Sequence, residues 1–242
     1  MIASLPLTYL RGTPPDQVVE AIDRIRSLEI TDVDAWGVHY PERGVTEFTV
    51  AAHASLVPGT FYRLAGALAS EGIEVLSAQI NTLSNGWALD RFHGLDNQFD
   101  GRPPDERIER VCTQLAEALK NPQAEVPKFP RIWNKQEVDK ATLSGLPTRV
   151  LFDNATSDRA TILQVFAPDR TGLLYTMAKQ IHDLQLGIIA AKIGTYIDQV
   201  VDVFYVTDLE GQKIEDEDRL QKACDALLVT LEQFEADSFA AP

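Results

Sequence analysis

One stretch of the 242-residue sequence pairs reactive residue types with a spacing that suits a small zwitterion: Phe166-Ala167-Pro168-Asp169-Arg170-Thr171-Gly172-Leu173-Leu174-Tyr175. An apolar, strand-like run breaks there and resumes as a helical stripe. Amides at a helix start lack intrahelical acceptors and carry the positive end of the helix dipole, so they can receive a carboxylate without a dedicated side chain. Gly172 would let a ligand approach closely. Asp169 could cap the helix or pair with an α-ammonium group, and Arg170 could orient the ligand or bridge to a neighbouring unit. Each residue also has a purely structural reading: Asp169 is an N-cap by type, Gly172 permits tight packing, and Leu173 and Leu174 are core by period.

Two other places imitate metal chemistry. His182-Asp183 lies midway along an amphipathic helix, and the other histidines, His39, His53 and His93, do not stand at ligand spacing from it. Asp32-Val33-Asp34 is an acidic pair with no glycine-rich phosphate loop ahead of it, which reads as a solvated turn. Cys112 and Cys224 sit on apolar helical faces and read as buried fillers. Trp36, Trp87 and Trp133 read as core or linker anchors. With no nucleophile–base arrangement or metal cluster, the chain is expected to be no enzyme by itself, and no metal or cofactor is expected.

The elements that hold these residues come in duplicate. Pro58-Gly59-Thr60-Phe61-Tyr62-Arg63-Leu64-Ala65 reads like Thr171-Gly172-Leu173-Leu174-Tyr175-Thr176-Met177-Ala178, and Val75, Ala78, Ile80 and Thr82 recur as Ile188, Ala191, Ile193 and Thr195. Asp90, Phe92 and Asp96 then match Asp202, Phe204 and Asp208. In the last helix of each copy, Ile108, Val111, Cys112, Leu115 and Leu119 match Leu220, Ala223, Cys224, Leu227 and Leu231, all on one face.

Each copy therefore reads as an α+β unit. The first helices carry the stripes Phe61, Leu64, Ala65, Leu68 and Leu174, Met177, Ala178, Ile181. Hairpins of 75–83 with 87–95 and 188–196 with 200–207 follow, turning at Ser84-Asn85-Gly86 and Ile197-Asp198-Gln199. A strand ahead of each unit, 33–40 or 148–152, takes the place of the fourth strand, giving a permuted ferredoxin-like sheet with helices on one face. Thr13-Pro14-Pro15-Asp16 predicts a leading helix capped by Thr13, with a stripe at Val18, Val19, Ile22 and Ile25. The expected divisions are a helical segment 1–32, units 33–120 and 148–242, and a linker 121–147 anchored by Phe129 and Trp133.

A net charge of -14 opposes binding to phosphate backbones, and no apolar run is long enough for a membrane helix. The N-terminus lacks a secretory pattern, so the expected compartment is the cytoplasm, without nucleic-acid or membrane partners.

The run from Asp169 to Leu174 resembles the ACT-domain signature. Together with Phe152-Asp153-Asn154 and Val201 to Asp208, it is similar to the C-terminal ACT pair of the bifunctional protein-PII uridylyltransferase and uridylyl-removing enzymes. That resemblance implies a regulatory tandem ACT module sensing glutamine, with the uridylyltransferase catalytic domains and PII protein as partners and homodimer formation through ACT sheets. It also implies a site at Asp169, Arg170, Thr171, Gly172, Leu173 and Leu174, with Ile188, Ile189 and Ala190 as the other wall. Pro58, Gly59 and Thr60 are the first unit's counterpart. Leu56-Val57 stands where the second unit has Asp169-Arg170, so any two sites are unequal.

Overall fold

The computed structural model describes residues 5–121 except 57, and 147–240 except 169, 197 and 198. The expected anchors Phe129 and Trp133 lie outside the described residues, as do Val57, Asp169 and most of the turn at 197–199. The chain divides into two compact units, Met1–Pro127 and Lys128–Pro242.

In the first unit, helices α1 (Leu7–Gly12) and α2 (Pro15–Arg26) precede strands β1 (Val33–Tyr40) and β2 (Val45–His53). Helix α3 (Thr60–Ser70), strands β3 (Ile73–Gln79) and β4 (Trp87–Asp96), and helix α4 (Asp105–Lys120) complete it. The strands pair antiparallel in the order β1-β2-β4-β3. The second unit contains β5 (Arg149–Asp153), β6 (Thr161–Pro168), α5 (Leu173–Asp183), β7 (Gly187–Lys192), β8 (Thr195–Tyr196), β9 (Gln199–Thr207) and α6 (Glu217–Ala240). Its order is β5-β6-β9-β7, with the short β8 also on β9. Both are ferredoxin-like sheets whose edge strand comes first in the chain, as the sequence predicts.

Alternation along the strands assigns the faces. In the first unit Phe48, Val50, Ala88 and Phe92 share the face that α3 and α4 cover, and Phe61 of α3 meets Phe92 with ring centroids 5.6 Å apart. Gly37 gives α4 room, because a Cβ there would run into the Ile108 side chain and stand 3.4 Å from the Phe48 ring. The stripes Ile108, Val111, Cys112, Leu115, Leu119 and Leu220, Ala223, Cys224, Leu227, Leu231 are buried throughout. Burial pushes the two thiols up, to about 12 at Cys112 and about 11 at Cys224.

Several expectations need correction. The leading segment forms two helices, and Thr13 does not cap α2: its hydroxyl donates to the Tyr9 carbonyl at 2.7 Å and accepts from Arg91 at 2.8 Å, which leaves Pro14 at the cap position. Val19 is exposed, and Ala21 takes its place in the buried stripe. Leu174 is only half-buried; Leu173 and Tyr175 face the core beside Met177, Ala178 and Ile181. The first hairpin strand ends at Gln79, with only an isolated Thr82–Ala88 bridge beyond it. Both copies carry a bulge at the same repeat position, after Val75 and after Ile188.

The opposite face of the first sheet is also covered, by α1 and α2. Leu5, Tyr9, Val18, Ala21, Ile22 and Ile25 join Ala51, Leu83, Trp87 and Leu89 in one cluster. At its centre the Arg91 guanidinium lies 4.6 Å over the Tyr9 ring and binds Thr13, Gln79 and, at 3.7 Å, Glu47. Glu47 also meets His93 Nε2 at 3.0 Å, and the His93 ring bonds Ser77. Desolvation raises the Tyr9 phenol above its ordinary value. The register places Ile162, Val203 and Tyr205 where the first unit has Glu47, Arg91 and His93, so the copies share a frame but not this network.

Two stability measurements check this packing. Arg91→Met should lower the unfolding free energy by about 3 kcal/mol in urea titrations, because it leaves Glu47 buried without its guanidinium; a loss below about 1 kcal/mol would contradict the network's role. Gln185, at φ 58 where the first copy has Gly72 at φ 73, holds a left-handed conformation that favours glycine. Gln185→Gly should stabilise the chain by up to about 1 kcal/mol.

Candidate functional site

Each unit turns from its opening strand into its first helix through a glycine with positive φ: Gly59 at φ 74, ψ 34 and Gly172 at φ 90, ψ -6. Neither cap position provides a side-chain hydrogen bond to its helix. Only glycine takes this conformation at low cost, and its missing side chain leaves the first helical amides to other acceptors.

In the second unit Gly172 is buried, Thr171 exposed and Arg170 half-buried. The Arg170 carbonyl accepts the Leu173 amide at 3.0 Å, so the bend itself uses that donor. The first i→i−4 bond of α5 runs from the Thr176 amide to the Gly172 carbonyl, 3.0 Å, and the Thr176 hydroxyl donates to the same oxygen at 3.0 Å. The Leu174 amide precedes that ladder. Asp169, the residue with most expected chemistry, lies outside the described residues.

The first bend is closed by its own side chains. A Cβ on Gly59 would fall within the Tyr62 ring, whose nearest ring atoms include one at 2.7 Å and one at 2.9 Å. Arg63 lies 5.3 Å over that ring, donates from Nε to the Pro58 carbonyl at 3.3 Å, and bonds the Gly59 carbonyl through its amide at 3.3 Å. Thr60 begins α3 directly behind. Neither Tyr62 nor Arg63 was singled out by sequence reasoning, although both lie in the aligned window. Their signal was the Arg63–Thr176 difference at a shared repeat position.

Ile188, Ile189 and Ala190 do not gather around Gly172 within the second unit. Gly172 follows the end of β6, where Ala167 pairs with Val200, whereas Ile188 pairs with Val206. Six residues of β9 separate those levels, about 20 Å along the strand. Ile189 sits in the bulge and is 39% exposed. A wall for this bend built from Ile188–Ala190 of the same unit is therefore ruled out by register.

Asp34 pairs with Arg24 at 3.1 Å, and Asp32 accepts the Glu29 amide at 2.9 Å. Among the described residues no group of three or more His, Cys, Asp or Glu side chains could hold a metal ion. Trp87 is buried in the leading-helix cluster, and Trp36 packs beside it under Arg24. A surface cleft of about 660 Å³ lined by Asp158, Arg159 and Lys213 lies at the other end of β6 from Gly172. No described helix is long and apolar enough to cross a membrane.

The second βαββα unit is also where a family match falls: residues 149–234 match a family model described as an ACR9-like, ACT-like domain. The wider chain is similar to part of the bifunctional uridylyltransferase/uridylyl-removing enzymes. It is 37% identical to that of Gluconobacter oxydans over 218 residues, 89% of this chain and 22% of the relative. It is 37% identical to that of Erythrobacter litoralis over 187 residues, covering 77% and 20%, and 32% identical to that of Rhodospirillum rubrum over 200 residues, covering 80% and 20%. The chain thus spans about a fifth of the length of these curated relatives. The greater part of those enzymes has no counterpart among its 242 residues, and the ACT-like match lies in residues 149–234.

Burial of the two cysteines gives a direct check on their role. Cys112 and Cys224 should stay unmodified by a thiol reagent at pH 8 in the native chain and react fully in denaturant; rapid native labelling would contradict their role as core fillers.

Proposed function

We propose that the chain is an amino-acid-responsive regulatory module, with glutamine as the favoured ligand, seated at the strand-to-helix bend of the second unit. The observation that carries this reading is Gly172: buried, at positive φ and without a side-chain cap, it opens α5 inside the region that matches an ACT-like family. The ligand carboxylate would meet the first-turn amides of α5, where the helix dipole favours negative charge. Asp169 would receive the ammonium group, Arg170 and Thr171 would border the ligand, and Leu173 and Leu174 would support it.

Within a longer protein, the module would control addition and removal of uridylyl groups on a PII signalling protein, acting on the catalytic domains that its relatives' names imply. Pairing of two chains through ACT sheets and a cytoplasmic setting belong to the same reading. The ligand can bias a regulatory equilibrium only by its differential affinity for the two states.

A second reading, a protein-interaction module with vestigial ligand sites, is favoured by one observation: Tyr62 and Arg63 close the first bend. Under this second reading Pro58, Gly59 and Thr60 would serve packing.

Calorimetry separates the two. Glutamine should give saturable heat at or below millimolar concentration, and Gly172→Val, with circular dichroism unchanged, should weaken binding at least tenfold. Absence of heat with every common amino acid at millimolar concentration would leave the interaction module as the surviving reading.

A further inference from the structure

In the first unit one carboxylate joins α3 to α4. Glu71, the residue that follows α3, accepts at Oε2 from Arg107 Nη1 and, at 2.7 Å, from Arg110 Nη2, with Arg110 Nε 3.1 Å from the same oxygen. Arg107 also donates to the Glu71 carbonyl, and its Nε meets Asp96, the last residue of β4, at 2.7 Å. The side chains of Arg107 and Glu71 are 5% and 15% exposed, so the acid sits in a seat that two cations build and water hardly reaches.

The second unit keeps the cations and lacks the acid. Asp105-Glu106-Arg107-Ile108-Glu109-Arg110-Val111-Cys112 of α4 matches Glu217-Asp218-Arg219-Leu220-Gln221-Lys222-Ala223-Cys224 of α6, which puts Arg219 at the position of Arg107 and Lys222 at that of Arg110. The ends of the first helices match as well. Glu71 and Leu184 are the residues after α3 and α5, at φ -84 and -78, and each precedes a left-handed residue, Gly72 or Gln185. Leu184, half-buried, therefore stands where Glu71 does. Asp208, the counterpart of Asp96, accepts the Gln212 amide at 2.7 Å. Arg219 Nη2 donates to the Gln185 carbonyl at 3.2 Å. Among the described residues neither Arg219 nor Lys222 has an ion-pair partner, although the acids Glu217 and Asp218 occupy the first turn of the same helix and Asp216 accepts the Arg219 amide at 3.1 Å.

We propose that Arg219 and Lys222 form a binding site for a free carboxylate, which takes the place that the Glu71 side chain holds in the first unit. Two cations one turn apart repel each other, and near the start of a helix they also lie toward the positive end of its dipole. Glu71 offsets both effects in the first copy, and an incoming anion does so in the second. The guanidinium of Arg219 offers paired N–H donors that suit a carboxylate, and Lys222 adds a second charge beside it. On a chain of net charge -14 the general field repels anions, so a carboxylate is held only where cations converge. This site is separate from the bend at Gly172: the 11 residues of α5 lie between them, about 16 Å of helix. It does not depend on what that bend binds.

The test is a titration of the whole chain with acetate at pH 7 and constant ionic strength, followed by nuclear magnetic resonance of the Arg219 Nε–H group and the amides of Gln185 and Leu186. These should shift saturably with acetate and not with chloride. Arg219→Gln should remove the response at the two amides, and Leu184→Glu should remove it while raising the melting temperature, because the acid is then supplied from within. A shift that chloride reproduces would overturn the proposal. So would an acetate response that survives in Leu184→Glu, or a Leu184→Glu chain that melts lower than the parent.

Discussion

The structure depends on one backbone constraint: in each unit a strand must become a helix that folds back over its own sheet, and the chain makes that turn through a left-handed glycine. A side chain at Gly59 would occupy the space of the Tyr62 ring, and the φ of 90 at Gly172 excludes other residues except at a strain cost. Once the turn is made, α3 lies where Phe61 meets Phe92, and the last helix closes the remaining sheet over its aliphatic stripe. The same turn starts a helix whose cap position supplies no side-chain hydrogen bond.

Duplication kept that constraint and released much else. The first unit buries a polar network of Glu47, Arg91 and His93 beneath α1 and α2, while the second has Ile162, Val203 and Tyr205 at those positions. The first bend is filled by Tyr62 and Arg63; at the second, Thr176 replaces the arginine and turns its hydroxyl onto the Gly172 carbonyl. One copy is thereby specialised for holding the leading helices. The other keeps the residue types that suit a zwitterion.

Periodicity made the frame legible. Ile108 to Leu119 and Leu220 to Leu231 repeat at helical spacing because one face of each helix must be buried, and Pro41 to Gly44 marks a hairpin because Gly44 takes φ 64. What stayed illegible depends on partners distant in the chain. Thr13 resembles an N-cap until Arg91, 78 residues on, claims its hydroxyl. Val19 fits the stripe as well as Ala21 does until the cluster around Tyr9 selects between them. For the site, glycine and helix start could be read directly, but Ile188–Ala190 could not be placed, because a wall is a matter of register and β9 carries those residues to its far end. Asp90 was visible as a repeated acid, and only its burial shows that it is unusual.

In the proposed function the bend at Gly172 would receive a small amino acid through the first-turn amides of α5. The most direct measurement is a glutamine titration followed by the backbone amide resonances of the whole chain. The largest, saturable shifts should fall on Thr171 to Tyr175. Saturable binding whose shifts map instead to the cleft around Arg159 and Lys213, or to the face covered by α1 and α2, would contradict it.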